Sequence, residues 1–311
     1  MIFNIFLSFF SILYFHLYYK IFRNYNSQSV SGVGAIIPIL VLVISFLYPQ
    51  EYSINYYLFL SLLCVFTIIY LIDDIKNLPI SIRILIQFLS GFACFYFIAD
   101  FNFISNSFIL LLFSIIFGLW TIFFVNLVNF YDGNDINVST LILIFLFFLL
   151  IFAIIPNFVI LIIFSIINFI FIFSFFNFFY SKYYFGDSGC FAVANLINFL
   201  LLLIFKKSSI NLVLFITPFF LPIIDVLFVI ILRLNLREPI YTRNYYHLYQ
   251  KIALDFKGYW YILPTIIFPI FFSFINYQFL YILNINQILI LTIDLPIIVF
   301  FYFFIMFYLR K

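Results

Sequence analysis

Two adjacent carboxylates, Asp73 and Asp74, are the first feature of this sequence that could take part in chemistry. They stand in the segment LIDDIKNLP, at the end of a long apolar stretch and shortly before Lys76. Because a helix carries partial negative charge at its carboxyl end, a pair of carboxylates there needs a nearby cation. A divalent metal ion, Lys76 or a phosphate-bound metal would supply it. A charged helix end lying among lipid headgroups is the simpler alternative.

A second acidic segment, NLVNFYDGNDIN at positions 126–137, follows another apolar stretch. Asn126 and Asn129 are spaced to share one face of a helix, and Asp132 and Asp135 follow them closely. Amide and carboxylate oxygens of this kind are ligands that suit Mg²⁺. The alternative is a hydrophilic turn, for which Asp-Gly is an ordinary sequence.

A third segment, YYFGDSGC at positions 183–190, places Asp187 close to two glycines at the start of a further apolar stretch. Glycine lets the backbone come close to a ligand, and the free N–H groups at the start of a helix attract anions. Asp187 is therefore a candidate metal ligand. It could also cap the helix as an N-cap residue, and the two roles do not exclude each other.

The longest polar segment, at positions 233–258, is basic and contains Arg243 and His247. Basic side chains beside a membrane can bind a phosphate substrate. They can also simply contact anionic lipid headgroups, and the sequence leaves both interpretations open.

Membrane helices are the elements that must position these segments. Apolar residues make up 68% of the 311 residues and charged residues 8%, whereas a soluble domain carries about 25% charge. A helix needs roughly 20 apolar residues to cross a bilayer. The apolar runs are continuous and lack the alternation of a membrane β-strand. The sequence predicts eleven helices, at 2–20, 33–49, 55–72, 82–99, 104–125, 138–155, 157–178, 189–205, 210–233, 261–281 and 287–309.

The basic residues fall on one side of this predicted bundle. All of the 14 Lys and Arg residues except Lys206 and Lys207 lie at the termini or in the loops that would share a face with the acidic segments. The excess of Lys and Arg marks the cytoplasmic side. We expect an all-α integral membrane protein, a polytopic bundle of about 10–11 transmembrane helices forming one domain over residues 1–311, with its active-site loops on the cytoplasmic face.

The ordered set of motifs resembles glycosyltransferase family 4, the polyprenyl-phosphate N-acetylhexosamine-1-phosphate transferases. The resemblance rests on IDD, NLVNFYDGND, FGDSG, a Pro and Asp225 with a distal Arg, and HLYQK, in that order. It implies a multi-pass enzyme of the bacterial inner membrane. Such an enzyme transfers a sugar 1-phosphate from a UDP-N-acetylhexosamine to undecaprenyl or another polyprenyl phosphate and releases UMP. No nucleic-acid partner is expected, and a homodimer is compatible with the sequence.

The resemblance also implies roles for individual residues. Asp187 resembles the principal ligand of a Mg²⁺ ion, with Mn²⁺ as an alternative, and Asn129 resembles a second ligand. The expected catalytic carboxylates are Asp73, Asp74 and Asp132. The expected substrate-binding residues are Asn126, Asp135, Lys76, Arg243 and His247.

Departures from the family pattern indicate which branch of the family the chain resembles. Ile136 follows Asp135 where a glycine is common, and Cys190 stands where a serine is common. The basic segment at 233–258 has one histidine, His247, where the peptidoglycan enzymes have a histidine triplet. This favours the branch that starts O-antigen or other surface polysaccharides over a peptidoglycan-type transferase.

A transporter of a phosphorylated or anionic solute is the main alternative class. It would carry polar residues along a route through the spans. Asp225 and Asp294 are the acidic residues predicted to lie inside a span. The other carboxylates of the acidic segments gather at helix ends on one side, which favours chemistry at the membrane surface.

Overall fold

The computed structural model describes residues 2–22, 29–47, 53–99, 107–153, 155–180, 183–207, 212–239, 245–256, 258–283 and 285–309. These residues form helices joined by short turns. The helices are α1 (Ile2–Phe22), α2 (Ile37–Leu47), α3 (Ile54–Lys76), α4 (Ile80–Ile98), α5 (Ser107–Tyr131), α6 (Asn137–Phe152), α7 (Asn157–Tyr180), α8 (Gly186–Lys207), α9 (Leu212–Ile216), α10 (Phe220–Asn235), α11 (Leu248–Asp255), α12 (Leu263–Tyr281) and α13 (Gln287–Tyr308).

The protein is an all-α, multi-pass membrane protein, which confirms the predicted fold class. Within the described ranges, eight helical segments are long and apolar enough to cross a membrane, and two shorter apolar helices cover Val33–Leu47 and Asn137–Phe152. Together with α1, helical residues coincide with each of the eleven predicted segments. The side of the membrane that each loop faces stays a prediction.

The helices that carry the acidic segments extend further than predicted. Helix α3 continues through Asp73 and Asp74 to Lys76, α5 continues through Asn129 to Tyr131, and α8 begins at Gly186. Their polar ends find hydrogen-bond partners inside the protein, so the helical backbone does not have to stop where the apolar residues stop. Asp73, Asp74 and Asp187 therefore stand on ordered helix ends, which hold a side chain more firmly than a loop would.

The predicted helix at 210–233 is interrupted. Helix α9 ends at Ile216, a single 3₁₀ turn covers Thr217–Phe219, and α10 begins at Phe220. Pro218 lies in that turn and has no backbone N–H, so the regular hydrogen-bond ladder cannot pass through it. Helix α11 was not predicted, because its eight residues are too few and too polar to resemble a span.

The chain divides into two compact units. The first contains Met1–Asp135 and Ala153–Ser209, and the second contains Ile136–Phe152 and Ile210–Lys311. The expectation of a single domain over residues 1–311 stays a prediction.

Helix α8 is the central element of the first unit. Its span is 83% buried, compared with 33% for the α3 and α5 spans that pack around it. Aromatic rings fill these contacts. Tyr70 of α3 stacks on Phe191 at 4.3 Å between ring centres, and Phe59 stacks on Phe199 at 5.4 Å. The start of α8 is thereby fixed among the ends of its neighbours.

Helices α4 and α5 approach each other closely. A Cβ atom on Gly91 would lie 2.1 Å from the hydroxyl oxygen of Thr121, and one on Gly118 would lie 2.8 Å from the Phe88 ring. Small residues at membrane helix interfaces allow this approach. The start of α4 and the end of α5 are thus brought to the same end of the first unit.

The second unit packs α9, α10, α12 and α13 against α6 and the short α11. Its buried core includes Val213, Leu214, Leu280 and Ile290. At the start of helix α11, the Gln250 side chain accepts a hydrogen bond from the backbone N–H of His247 at 3.2 Å, as the third helical residue does in a capping box.

Candidate active site

A carboxylate from α3 binds the first turn of α8. One oxygen of Asp74 accepts a hydrogen bond from the backbone N–H of Asp187 at 3.0 Å. The other accepts from the backbone N–H of Ser188 at 3.2 Å and from its hydroxyl group at 2.5 Å. These N–H groups have no partner within their own helix, and they form the positive end of its dipole. Asp74 therefore fixes the start of α8.

A second carboxylate, from the turn after α5, completes this arrangement. Asp132 accepts a hydrogen bond from the backbone N–H of Gly186 at 3.0 Å. Burial raises the pKa of Asp132 to about 8, and the charges of Asp187, Asp74 and Asp135 contribute to the rise. Asp132 is thus a buried carboxyl group with other carboxylates close to it.

Capping of α8 thus falls to Asp74 and Asp132, and the Asp187 carboxylate does not have to perform it. The Asp187 side chain is 34% exposed, and its Oδ2 lies 3.3 Å from a guanidinium nitrogen of Arg83 on α4. Of the two roles considered for Asp187, ligand and N-cap, the geometry leaves its carboxylate available to be a ligand.

The last carboxylate of the group, Asp73, shares the same guanidinium. Its Oδ1 accepts a hydrogen bond from the backbone N–H of Leu78, which ties it to the turn after α3. Its buried Oδ2 has no hydrogen-bond partner among the described residues and lies 3.6 Å from the same Arg83 nitrogen. One positive charge therefore stands between an exposed carboxylate and a buried one.

Glycines allow the segment at 30–34 to line this site. The backbone N–H of Tyr184 donates to the carbonyl oxygen of Val30 at 2.9 Å, and the Ser31 hydroxyl group donates to Asp74 at 3.3 Å. Gly186 has a φ of 79°, and a Cβ on it would lie 2.2 Å from the backbone nitrogen of Gly32. A side chain at Gly186 would separate the two segments that enclose Asp74.

Amide side chains support the acidic residues from neighbouring helices. Asn126 donates to Gln87 of α4 at 3.0 Å. Asn177 of α7 donates to Asp135 at 3.4 Å and to the carbonyl oxygen of Tyr183 at 2.6 Å. The backbone carbonyl of Asn129 accepts a hydrogen bond from the N–H of Asp132 at 3.1 Å, so this residue helps to shape the turn after α5.

The first turn of α8 and the Arg83 guanidinium thus join the predicted residues Asp73, Asp74, Asp132 and Asp187 into one group. Lys76 lies exposed at the end of α3, and Arg243 lies outside the described residues. Sequence reasoning missed several contributors: Arg83, Ser188, Ser31, Gln87 and Asn177. The signal that could have found Arg83 is its position in the first turn of α4, a few residues after the Asp pair.

The residues of this group fit a Mg²⁺ ion that keeps water or substrate oxygens as further ligands. No group of three or more His, Cys, Asp or Glu side chains in the described part of the chain is arranged to hold a metal ion. Mg²⁺ is commonly bound by one or two carboxylates, with waters and substrate phosphates completing the shell. Asp187 and Asp73 both face the Arg83 guanidinium, and the Oδ2 atom of Asp73 accepts no hydrogen bond from a described residue. Together they provide the one or two carboxylates that such an ion needs.

His247 lies in the second unit and is almost fully buried. Its Nδ1 lies 3.0 Å from Asp225, which also accepts from the backbone N–H of Leu248 at 2.9 Å and from the Tyr302 hydroxyl group at 3.0 Å. Asp225 therefore anchors the start of α11 to α10 and α13. Arg233, further along α10, pairs with Glu238 at 3.6 Å.

The part of the chain that holds the acidic group also matches a known family. Residues 54–206 match glycosyl transferase family 4. This stretch is just under half of the chain and includes all of the acidic group together with Arg83. The match supports the predicted resemblance to that family and indicates a transferase. No curated protein matches the chain.

Proposed function

We propose that the protein transfers an N-acetylhexosamine 1-phosphate from a UDP-sugar to a polyprenyl phosphate, with Mg²⁺ as cofactor. The observation that carries the proposal is the group formed by Asp73, Asp74, Asp132 and Asp187 around the start of α8, within the segment that matches family 4. A partly exposed carboxylate on an ordered helix start suits a metal ion that also binds a diphosphate.

The reaction requires little acid–base chemistry. An ionised oxygen of the polyprenyl phosphate attacks the β-phosphorus of the UDP-sugar, and the bond between that phosphorus and the bridging oxygen breaks. UMP leaves with the bridging oxygen, and the product is a polyprenyl-diphosphate sugar. Because both reactants are anions, positioning and charge compensation supply most of the catalysis.

The residues divide into three roles under this proposal. Asp187, with Asp73 or Asn129, would hold Mg²⁺, which would offset the phosphate charge when bound. Asp74 and Asp132, expected to be catalytic, would act by fixing the start of α8 and with it Asp187. The expected substrate contacts are Asn126, Asp135, Lys76, Arg243 and His247.

The cellular setting follows from the same reasoning. A lipid-linked acceptor requires the membrane, and the distribution of Lys and Arg favours an active site on the cytoplasmic side of a bacterial inner membrane. The single histidine of the late segment favours the start of O-antigen or other surface polysaccharides over peptidoglycan synthesis.

A transporter is less well supported. Its route would need accessible polar residues inside the spans. Asp225 and Asp294 are both buried, and each is held by neighbouring side chains: Asp225 by His247 and Tyr302, Asp294 by Asn276 at 2.8 Å. These contacts tie helices together and do not line a path in either case.

The test is UMP release by the purified protein in detergent, supplied with polyprenyl phosphate, Mg²⁺ and a panel of UDP-N-acetylhexosamines. We expect UMP release with at least one sugar and none after addition of EDTA. Failure to release UMP with every sugar in the panel would refute the proposal.

A further inference from the structure

The Arg83 guanidinium lies between two carboxylates of the acidic group. It lies 3.3 Å from Asp187 and 3.6 Å from Asp73, and its side chain is 33% exposed. Asp74 and Asp132 are already bound to backbone N–H groups of α8. In the described part of the chain, Arg83 is the cation that pairs with this group.

Asp73 shows that the guanidinium satisfies the group only in part. This carboxylate is 3% exposed, and its Oδ2 makes no hydrogen bond to a described residue. Its distance of 3.6 Å from Arg83 is longer than that of a charge-assisted hydrogen bond, which measures about 2.8 Å. A planar guanidinium that already faces Asp187 at 3.3 Å therefore leaves Asp73 Oδ2 without a close donor.

A divalent ion and Arg83 compete for this position. Mg²⁺ binds a carboxylate oxygen at about 2.1 Å, and the guanidinium nitrogen now lies 3.3 Å from Asp187 Oδ2. An ion on that oxygen would stand next to the guanidinium, and the two like charges would repel each other strongly in a partly buried site. The exposed third of the Arg83 side chain gives it room to turn outward.

We propose that Arg83 is an internal counter-ion that stabilises the metal-free acidic group and is displaced when the divalent ion binds. The displaced guanidinium would be free to pair with phosphate oxygens of the substrate, which its fork of N–H groups matches. Arg83 is thus a positioning residue that exchanges one anionic partner for another. This inference rests on the proposed function, because that function supplies the ion and the diphosphate.

The test measures ion binding separately from activity. Purified protein in detergent is titrated with Mn²⁺ alone, and free Mn²⁺ is followed by electron paramagnetic resonance. We expect Arg83→Gln to bind Mn²⁺ at least tenfold more tightly than the parent protein, about 1.4 kcal/mol, because the competing cation is gone. Arg83→Lys, which keeps the charge, should fall between the two.

Two matched variants make the result specific. Lys20→Gln removes one charge from an exposed position at the end of α1 and should change Mn²⁺ affinity less than twofold. Adding Asp187→Asn to Arg83→Gln should abolish the gain. Unchanged or weaker Mn²⁺ binding by Arg83→Gln, or no Mn²⁺ binding by any variant, would overturn the inference. Ion competition without any UMP release would refute the proposed function and leave the exchange intact.

Discussion

Asp74 in the first unit and Asp225 in the second unit are placed in similar ways. Each stands on a long helix and accepts hydrogen bonds from backbone N–H groups at the start of another helix, α8 for Asp74 and α11 for Asp225. Each also accepts a side-chain donor, from Ser188 or from Tyr302. Both carboxylates therefore join helices that lie far apart in the sequence.

The surroundings of the two carboxylates differ in charge and in access. Around Asp225 the polar contacts come from His247 and Tyr302, and the carboxylate is fully buried. Around Asp74, three further carboxylates gather, and Asp187 remains 34% exposed with one guanidinium facing it. The comparison teaches that capping a helix does not itself make a site. A site for a cation and a phosphate also needs an excess of exposed negative charge beside the cap.

Asp187→Asn should produce the largest effect and separates the two regions most sharply. The amide keeps the shape of the side chain but removes the exposed charge, and the Asp187 carboxylate does not hold α8 in place. We expect UMP release to fall by about 10³-fold, equal to about 4 kcal/mol. Thermal unfolding in detergent should stay within about 2 °C of the parent protein, since surface substitutions change stability little.

A lowered unfolding temperature in Asp187→Asn would contradict this comparison, because the carboxylate would then be structural. Arg83→Lys is the matched control for unfolding. It keeps the positive charge on the same pair of carboxylates and should also leave the unfolding temperature unchanged.

Asp225→Ala should lower the stability of the fold, which Asp187→Asn should leave almost unchanged. It leaves the donors of Tyr302, His247 and Leu248 buried without their acceptor. Breaking a buried network of this kind costs about 3 kcal/mol of folding free energy. The measurement is unfolding in a graded detergent or denaturant series, with limited proteolysis of the segment before α11 as a second probe. If Asp225→Ala unfolds like the parent protein, Asp225 is not the anchor described here.

Much of the fold could be predicted from the sequence, because continuous apolar runs of membrane length leave the chain few alternatives to helices. The helix ends could not be predicted. Asp74 resembles a loop residue in the sequence, yet it continues helix α3, and its hydrogen-bond partners lie at the start of α8. Such partners belong to the tertiary structure and leave no local signal.

For a related reason, some residues of the candidate site could be predicted from the sequence and others could not. Asp187 stands out because a charge between glycines at the edge of an apolar run is unusual. Arg83 does not stand out, because a single basic residue near a helix end usually contacts lipid headgroups. Gln87 and Asn177 lie within apolar spans, and the Asp225–His247 pair spans 22 residues, so their contacts could be known only from the folded chain.

Gly186→Ala tests the close backbone contact that lies beside Asp74. Alanine would need the left-handed conformation at φ 79°, and its Cβ would lie 2.2 Å from the backbone nitrogen of Gly32. Gly258→Ala is the matched control, since φ there is 91° and nothing lies within 4 Å of the added Cβ. The conformational strain alone costs about 1–2 kcal/mol.

We therefore expect Gly258→Ala to lose about 1 kcal/mol of folding free energy and Gly186→Ala about 3 kcal/mol, with loss of UMP release in the second variant only. Equal losses in the two variants would show that the packing of the segment at 30–34 against α8 is not critical.

The smallest expected effect is a pH dependence that belongs to the first unit. Burial raises the pKa of Asp132 to about 8 in the folded protein, whereas an unfolded chain has a carboxyl pKa near about 3.9. Between these values the folded state holds a proton that the unfolded state has released, so stability should fall as pH rises from about 4 towards 8. In EDTA, the loss of folding free energy between pH 6.5 and 7.5 should be about 1 kcal/mol, at most about 1.4 kcal/mol for one proton.

Asp132→Asn keeps an oxygen acceptor for the N–H of Gly186 but cannot ionise, and its unfolding should depend less on pH. Asp225→Asn should leave the slope unchanged. A slope that survives in Asp132→Asn would mean that another group of the molecule carries it, and the difference in charge between the two regions would then have to be traced to that group.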